Sequence, residues 1–194
     1  YVKFAKEVVA AIPDKPISFE VFSDDFKEME RQAKIISSWG KNVYVKIPIT
    51  NTKKESSVPL VAKLAAQGIK VNVTAVFTVK QVEEVAKVLS KKVPSVVSVF
   101  AGRIADAGYD PKHYMKKAKR ALAGNPSVEL LWASPRELWN IYQAHKAGCD
   151  IITVPHDILK KLEKVGYDLE EFSLDTVKMF YEDGQKVGYT LYES

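Results

Sequence analysis

The sequence contains one cysteine, Cys149, and no apolar run close to the ~18 residues that a membrane-spanning helix needs. A single cysteine excludes an internal disulfide and suits a reducing compartment, so we expect a cytoplasmic protein without membrane contact. No Gly-x-Ser-x-Gly nucleophile elbow is present. No pair of His, Cys, Asp or Glu residues has the spacing of metal ligands, and we therefore expect no metal and no other cofactor.

The charge distribution argues against a nucleic-acid-binding protein. The net charge is +5, and hydrophobic residues make up 46% of a chain in which 27% of residues are charged, as in ordinary globular proteins. One predicted helix carries a basic group, Lys116, Lys117, Lys119 and Arg120, but no aromatic residues lie between these positions. The basic balance suits a small anionic substrate better.

Strand and helix signals alternate along the whole chain, which predicts one α/β domain over residues 1–194. The strands are near-continuous Val/Ile runs without hairpin turns between them, as expected for a parallel sheet. Strands are predicted at 17–22, 43–49, 70–76, 95–100, 128–133 and 150–154, and helices at about 2–11, 23–40, 59–68, from 78, 111–123, 134–148, 156–163 and 174–187. The alternation fits an open doubly wound sheet or a (β/α)8 TIM barrel.

Two observations favour the barrel. No Gly-rich phosphate fingerprint follows the first strand, which weighs against a Rossmann sheet. Polar residues within the strands also share one parity and therefore one face: Ser18, Glu20, Lys46, Asn72, Thr74 and Ser98, with Ser134 and Thr153 at or near strand ends. An eight-stranded barrel needs two more strands, so we expect the first one to two, within about 30 residues, to be missing from this sequence.

Lys46 is the most unusual of these polar residues, because it interrupts the buried strand Val43–Ile49. A buried amine has a lowered pKa and becomes a nucleophile at neutral pH. With Glu20 and Thr74 to move protons through a water, the amine could form an imine with a carbonyl substrate. The alternative is a structural Lys46–Glu20 ion pair.

A second group of residues suits a phosphate. Arg103 follows the strand at 95–100, and Arg136 lies in the first turn of a helix that we expect Ser134 to cap. Two guanidinium groups near a helix N-terminus form an anion site, and late βα loops are its usual place in barrels. The alternative is two unrelated surface ion pairs. His156 follows the last strand and could line the mouth, whereas His113 and His145 are expected on exposed helix faces.

Four segments in order resemble the transaldolase family of Schiff-base barrels. They are Val45-Lys46-Ile47-Pro48, Asn72-Val73-Thr74, Ser98 to Ile104 (Ser-x-Phe-x-Gly-Arg-Ile), and Ala133-Ser134-Pro135-Arg136. The resemblance implies a (β/α)8 barrel and a transaldolase of the pentose phosphate pathway, which transfers a dihydroxyacetone unit from a ketose phosphate to an aldose phosphate.

The resemblance also implies a role for each site residue. Lys46 would be the Schiff-base lysine, and Glu20 with Thr74 would hold the catalytic water. Asn72 and Ser98 would bind the dihydroxyacetone part, and Phe100 would lie beside it. Arg103, Ser134 and Arg136 would hold the phosphate.

Departures from the family pattern bear on the reaction. The similar fructose-6-phosphate aldolases have Gln in place of Glu20 and Tyr in place of Phe100, so both positions are of the transaldolase type. The family's catalytic aspartate lies on its first barrel strand, which this sequence lacks. A fructose-6-phosphate-type aldolase, or a truncated barrel that binds sugar phosphates without catalysis, are the alternatives.

The predicted C-terminal helix has apolar residues at helical spacing, Leu174, Val177, Phe180 and Tyr181. This face either packs on its own barrel or contacts another subunit. The small transaldolases that the chain resembles are oligomeric, so we expect a homo-oligomer.

Overall fold

The computed structural model describes residues 1–188 and 190–192, and the chain forms two compact units, Tyr1–Pro155 and His156–Ser194. The first unit holds a parallel six-stranded sheet in the order β1-β2-β3-β4-β5-β6. The strands are β1 Ile17–Glu20, β2 Val43–Pro48, β3 Val71–Val76, β4 Ser95–Val99, β5 Val128–Trp132 and β6 Ile151–Ile152. All six predicted strands are present, each within two residues of its expected bounds.

Helices connect the strands of the first unit and cover one face of the sheet. They are α1 Val2–Ala11, α2 Phe26–Ser37, α3 Val58–Ala66, α4 Val79–Ala86, α5 Ala101–Asp106, α6 Pro111–Leu122 and α7 Trp139–Ala147. The second unit contains α8 His156–Leu159, a 3-10 turn Lys160–Lys164 and α9 Leu169–Val187. In the described part of the chain, no helix is both long enough and apolar enough to cross a membrane.

The sheet curls into a half-barrel, and its two faces carry different residues. In β2, Val45 and Ile47 join the core under the helices, whereas Tyr44 packs with Val96 and Leu131 on the other face. This alternation follows from the two-residue period of a strand. The parallel α/β half-barrel is therefore established, and the further strands of an eight-stranded barrel stay an expectation.

Side-chain caps fix where several helices begin. Thr78 and Gln81 form the predicted capping box of α4. The hydroxyl of Thr78 accepts the backbone N–H of Gln81, and the side-chain oxygen of Gln81 accepts the backbone N–H of Thr78. Asp25, not Ser23, caps α2 by accepting the N–H of Glu28. Asp168 caps α9, which begins five residues before the predicted start. These side chains supply acceptors to the backbone N–H groups that the first turn of a helix leaves unpaired.

The predicted helix at 134–148 is wrong in its first turn. α7 begins at Trp139, and Ser134 has a left-handed backbone with φ 57° instead of capping a helix. The side chain of Asn140 reaches back and accepts the N–H of Arg136 at 2.7 Å. Residues 133–138 therefore form a loop, and Arg136 does not lie in a helical turn.

A short helix begins at Ala101-Gly102-Arg103, where no helix was predicted. α5 begins at Ala101, and the N–H of Gly102 donates to the carbonyl of Ala133 at 3.2 Å. A Cβ at Gly102 would lie 1.5 Å from the carbonyl oxygen of Ser134. Glycine thus allows α5 and the 133–138 loop to touch through their backbones, which brings Arg103 and Arg136 to neighbouring elements.

Candidate active site

A cavity of about 480 Å³ occupies the concave face of the half-barrel. Its wall contains six of the predicted site residues, Lys46, Asn72, Thr74, Ser98, Phe100 and Ser134, together with the polar Ser18 and Thr153. These residues come from β1 to β6 and the loops that follow them. The carboxyl ends of parallel strands meet at this edge, where α/β barrels keep their ligand sites.

Lys46 lies opposite Glu20 in the register of β1 and β2. The lysine Nζ is 3.8 Å from Oε2 of Glu20, which allows an ion pair, or a shared water with a small shift. The Lys46 side chain is 31% exposed and that of Glu20 45% exposed. The expectation of a fully buried lysine is therefore wrong: the amine is open to a ligand from the cavity side, and Glu20 lies just outside the cavity wall.

Asn72 is the centre of a hydrogen-bond chain that joins β1, β3 and β4 and is buried at its Ser98 end. Its Nδ2 donates to Oγ of Ser18 at 3.0 Å, and its Oδ1 accepts from Oγ of Ser98 at 2.7 Å. Asn72 and Ser98 are 4% and 2% exposed. Because both ends of the amide are engaged, its orientation is fixed. The second amide hydrogen of Asn72 and the lone pairs of Ser98 stay free to contact a hydroxylated ligand.

Thr74 carries a polar atom that lacks a partner in the described structure. Its Oγ1 is buried and makes no hydrogen bond, although the residue lines the cavity two positions beyond Asn72. Ala75, which follows, has a left-handed φ of 56°, and the β3–β4 register shifts between Val73 and Val76. An unpaired buried hydroxyl destabilises a fold, so its presence in the wall of the cavity that Lys46 lines suggests a ligand or water that it contacts.

A second cavity of about 440 Å³ adjoins the first and shares Ser134 and Thr153 with it. Its other lining residues include Arg136. The Arg136 side chain is 49% exposed and forms an ion pair with Asp106, the last residue of α5. An elongated ligand could therefore have one end at Lys46 and an anionic end at Arg136.

Arg103 lies on α5, outside the walls of both cavities. Its guanidinium stacks over the ring of Phe100, with 5.6 Å between the guanidinium carbon and the ring centroid. The Arg136 hydrogen bonds, and secondarily the charges of Arg136 and Arg103, hold the pKa of Asp106 below its usual range. Arg136 thus binds the Asp106 carboxylate directly, Arg103 acts on it through charge alone, and only Arg136 reaches a cavity.

Three features of the site were not predicted. Asp106 was not predicted as a site residue because α5 was not expected, although Asp106 follows Arg103 by three residues. Tyr44 and Glu129 also line the first cavity, and burial together with the Glu129 carboxylate raises the pKa of Tyr44. Both could have been found from their parity, since Tyr44 shares a face with Lys46 and Glu129 shares one with Leu131.

Neither His113 nor His145 lines either cavity. His113 and His145 are exposed on α6 and α7, as expected, and His156 begins the second unit. Its predicted position at the mouth stays a prediction. Within residues 1–188 and 190–192, no group of three or more His, Cys, Asp or Glu side chains is arranged to hold a metal.

Comparison with known proteins identifies the family. A profile described as "Transaldolase/Fructose-6-phosphate aldolase" matches residues 1–191. The chain belongs to the transaldolase/fructose-6-phosphate aldolase family.

Named relatives agree with this family. A protein of Listeria monocytogenes called "Probable transaldolase 2" is 35% identical over 155 residues, 79% of this chain and 67% of its own length. A "Probable transaldolase" of Caldicellulosiruptor saccharolyticus is 33% identical over 187 residues, 94% of this chain and 80% of its own length.

A solved structure supports the fold alone. The orotidine 5'-phosphate decarboxylase of Lactobacillus acidophilus aligns with a TM-score of 0.54 at 20% identity, covering 80% of this chain and 78% of that one. The half-barrel therefore has a counterpart of similar fold at low sequence identity.

Proposed function

We propose that the protein is a transaldolase, which transfers a dihydroxyacetone unit from a ketose phosphate to an aldose phosphate through a Schiff base on Lys46. The observation that carries the proposal is the joint position of Lys46, Thr74 and the Asn72–Ser98 pair in one cavity. Family membership supports the same chemistry. Glu20 and Phe100, both of the transaldolase type, favour transfer over release.

The proposed reaction begins when the Lys46 amine attacks the ketose carbonyl carbon. Loss of water gives a protonated imine, which accepts the electron pair of the carbon–carbon bond when that bond breaks. A water held by Glu20 and Thr74 takes the hydroxyl proton that must leave as the aldose forms. Attack of the resulting enamine on the acceptor aldose, followed by hydrolysis of the imine, restores the lysine.

The other residues would bind and orient the sugar. Asn72 and Ser98 offer a fixed amide and hydroxyl for the dihydroxyacetone oxygens, since their mutual bond orders both side chains. The phosphate would lie in the adjoining cavity against Arg136 and Ser134, with Arg103 adding positive charge. Oriented groups lower the entropic part of the barrier because they need no rearrangement on binding.

Borohydride trapping tests the proposal. We expect fructose 6-phosphate and borohydride to leave a covalent adduct on Lys46, which mass spectrometry of peptides locates. Lys46→Met should abolish the adduct and the activity, whereas Lys80→Met, at an exposed position on α4, should change neither. A wild-type chain that forms no adduct would leave only a non-catalytic sugar-phosphate-binding role.

Product analysis then separates transfer from release. With an acceptor aldose, a transaldolase forms a new ketose phosphate; without an acceptor, it releases little free dihydroxyacetone. Equal release in both conditions would replace the transaldolase proposal with the aldolase. The proposed setting is the pentose phosphate pathway in the cytoplasm, which the family and the single cysteine support.

Homo-oligomerisation is a separate proposal, supported by the exposed apolar residues of α9. Leu174, Val177 and Phe180 are 46%, 59% and 65% exposed. Apolar residues exposed in a row along a helix are typical of contact surfaces. Light scattering of the full chain measures the subunit number, and a monomer at all concentrations would contradict the proposal.

A further inference from the structure

Asp106 and Arg136 form a two-pronged ion pair between α5 and the 133–138 loop. Nε of Arg136 donates to Oδ1 and Oδ2 of Asp106 at 3.1 and 3.0 Å, and Nη2 also donates to Oδ2. These bonds occupy one edge of the planar guanidinium. The edge between Nη1 and Nη2 can still bind an anion in the cavity that Arg136 lines.

The position of Asp106 is unfavourable without this arginine. It is the last residue of α5, where the carbonyl ends of the helix give a partial negative charge. The side chains of Asp106 and Arg136 are 51% and 49% exposed, and ion pairs at such exposure add little to stability. Neither helix formation nor stability therefore explains an aspartate here.

The backbone around the pair restricts where the arginine can go. Gly102, at the start of α5, touches the backbone of Ser134, and Asp106, at the end of α5, binds the side chain of Arg136. The side chain of Asn140 fixes the backbone N–H of Arg136 at 2.7 Å. Backbone contacts thus fix the loop, and Asp106 fixes the direction of the guanidinium.

We propose that Asp106 is a positioning residue, which holds the guanidinium of Arg136 in the orientation that binds the substrate's phosphate. The proposal rests on the proposed function for the phosphate, but not on the Schiff-base chemistry. Asp106 acts through Arg136 and does not touch the ligand. Its benefit is that a long, flexible side chain is ordered before binding, which reduces the entropy lost when the phosphate binds.

The direction in which a substitution changes the affinity for phosphate distinguishes positioning from simple electrostatics. Removal of a negative charge beside two arginines would, by charge alone, strengthen the binding of an anion. Loss of orientation would weaken it. Weaker phosphate binding by Asp106→Asn therefore supports the lost positioning, because the change in charge acts in the opposite direction.

A phosphorus NMR titration of the full chain with inorganic phosphate tests the proposal. At an ionic strength of about 0.15 M, we expect Asp106→Asn to raise the Kd by about two- to tenfold, the effect of ordering one long side chain. Asp106→Glu, which keeps the carboxylate, should recover part of the affinity. Arg136→Met measures how far the Kd for phosphate rises when the guanidinium is removed altogether.

The matched control is Glu28→Gln on α2. Glu28 also binds both Nε and Nη2 of an arginine, Arg31, at 2.8 and 2.7 Å, but it lies away from both cavities. We expect no change in the phosphate Kd. Equal weakening by Glu28→Gln, or unchanged or tighter binding by Asp106→Asn, would overturn the proposal, as would a wild-type chain that does not bind phosphate.

Kinetics and trapping separate this proposal from the proposed reaction. Asp106→Asn should raise KM for the phosphorylated ketose with kcat nearly kept, and borohydride trapping with unphosphorylated dihydroxyacetone should not change. If the wild type binds phosphate in an Asp106-dependent way but forms no adduct, only the transaldolase proposal fails. If the adduct forms but Asp106→Asn leaves KM unaltered, only the positioning role fails.

Discussion

Thr74 shows, at the scale of one residue, a conflict between stability and the proposed chemistry. Its buried Oγ1 has no hydrogen-bond partner among the described residues. We expect Thr74→Val, which keeps the shape and removes the unpaired hydroxyl, to raise the free energy of unfolding by about 1 kcal/mol. Turnover should fall by about 100-fold or more, because the water needed for proton transfer loses a contact. Urea unfolding and transfer kinetics measure the two effects.

Thr74→Ser is the matched control, since it keeps the hydroxyl and removes only a methyl group. It should retain most of the activity and lose stability through the small void. A Thr74→Val protein that is both less stable and fully active would refute the proposed role. Such a result would mean that a structural water satisfies the hydroxyl.

Residue parity in the strands was enough to predict much of the first cavity. Lys46, Asn72 and Ser98 share a face because side chains alternate with a period of two, and this rule needs only local sequence. The orientation of Asn72 between Ser18 and Ser98 could not be predicted, since it depends on the register of three strands. The ion pair of Arg136 with Asp106 was missed for the same reason, because 30 residues separate the partners.

Gly102 controls, at the scale of an element, how closely α5 approaches the 133–138 loop. A Cβ at this position would lie 1.5 and 2.6 Å from two backbone atoms of Ser134, which cannot move aside as a side chain could. We expect Gly102→Ala to separate α5 from the loop and to lower the free energy of unfolding by about 1–3 kcal/mol. Phosphate binding, measured by the same NMR titration, should also weaken.

Gly124→Ala provides a control for glycine replacement itself. A Cβ at Gly124 meets no atom within 4 Å, so this variant should be unchanged or slightly more stable, because alanine reduces the freedom of the unfolded chain. If Gly102→Ala had the same stability and the same phosphate affinity as Gly124→Ala, the backbone contact between α5 and the 133–138 loop would not have the role assigned to it.

Elements with strong local signals were predicted correctly, and the 133–138 loop was not. The capping box of α4 depends only on Thr78 and Gln81, which lie in one turn. The Ser134-Pro135-Arg136-Glu137 segment also resembles a helix start. Tertiary contacts override this tendency, because Gly102 packs on the backbone of Ser134 and Asn140 binds the N–H of Arg136.

At the scale of the whole molecule, the predicted α/β class is correct, and the sheet is a half-barrel. Alternating strands and helices predicted a parallel sheet, and the structure has six parallel strands in sequential order. Sequence patterns could not predict the curvature, since it arises from strand twist and packing rather than from any one segment. The cavities that contain Lys46 and Arg136 still adjoin, because β2 and β5 run parallel and their carboxyl ends lie at the same edge of the sheet.

The rate at which the Cys149 thiol is modified reports whether the first unit is folded. Its thiol packs against the main core, and burial, with a smaller contribution from Asp150, raises its pKa to about 12. The thiolate is the reactive form, and an unfolded cysteine has a pKa of about 8.5. At pH 8 we therefore expect iodoacetamide to modify the native chain about a thousandfold more slowly than the urea-unfolded chain, as followed by mass spectrometry.

The same thiol gives stability a definite pH dependence. Because the folded-state pKa is raised, the native chain keeps a proton that the unfolded chain loses above about pH 8.5, so this contribution to stability falls as the pH rises from about 9 towards 12. Cys149→Ser should remove this slope.

In urea at pH 8, labelling of Cys149 should accelerate at the concentration where the helical circular dichroism disappears, since the core around Cys149 unfolds with the sheet. Rapid labelling at lower urea would show that β6 and the end of α7 open separately from the other strands.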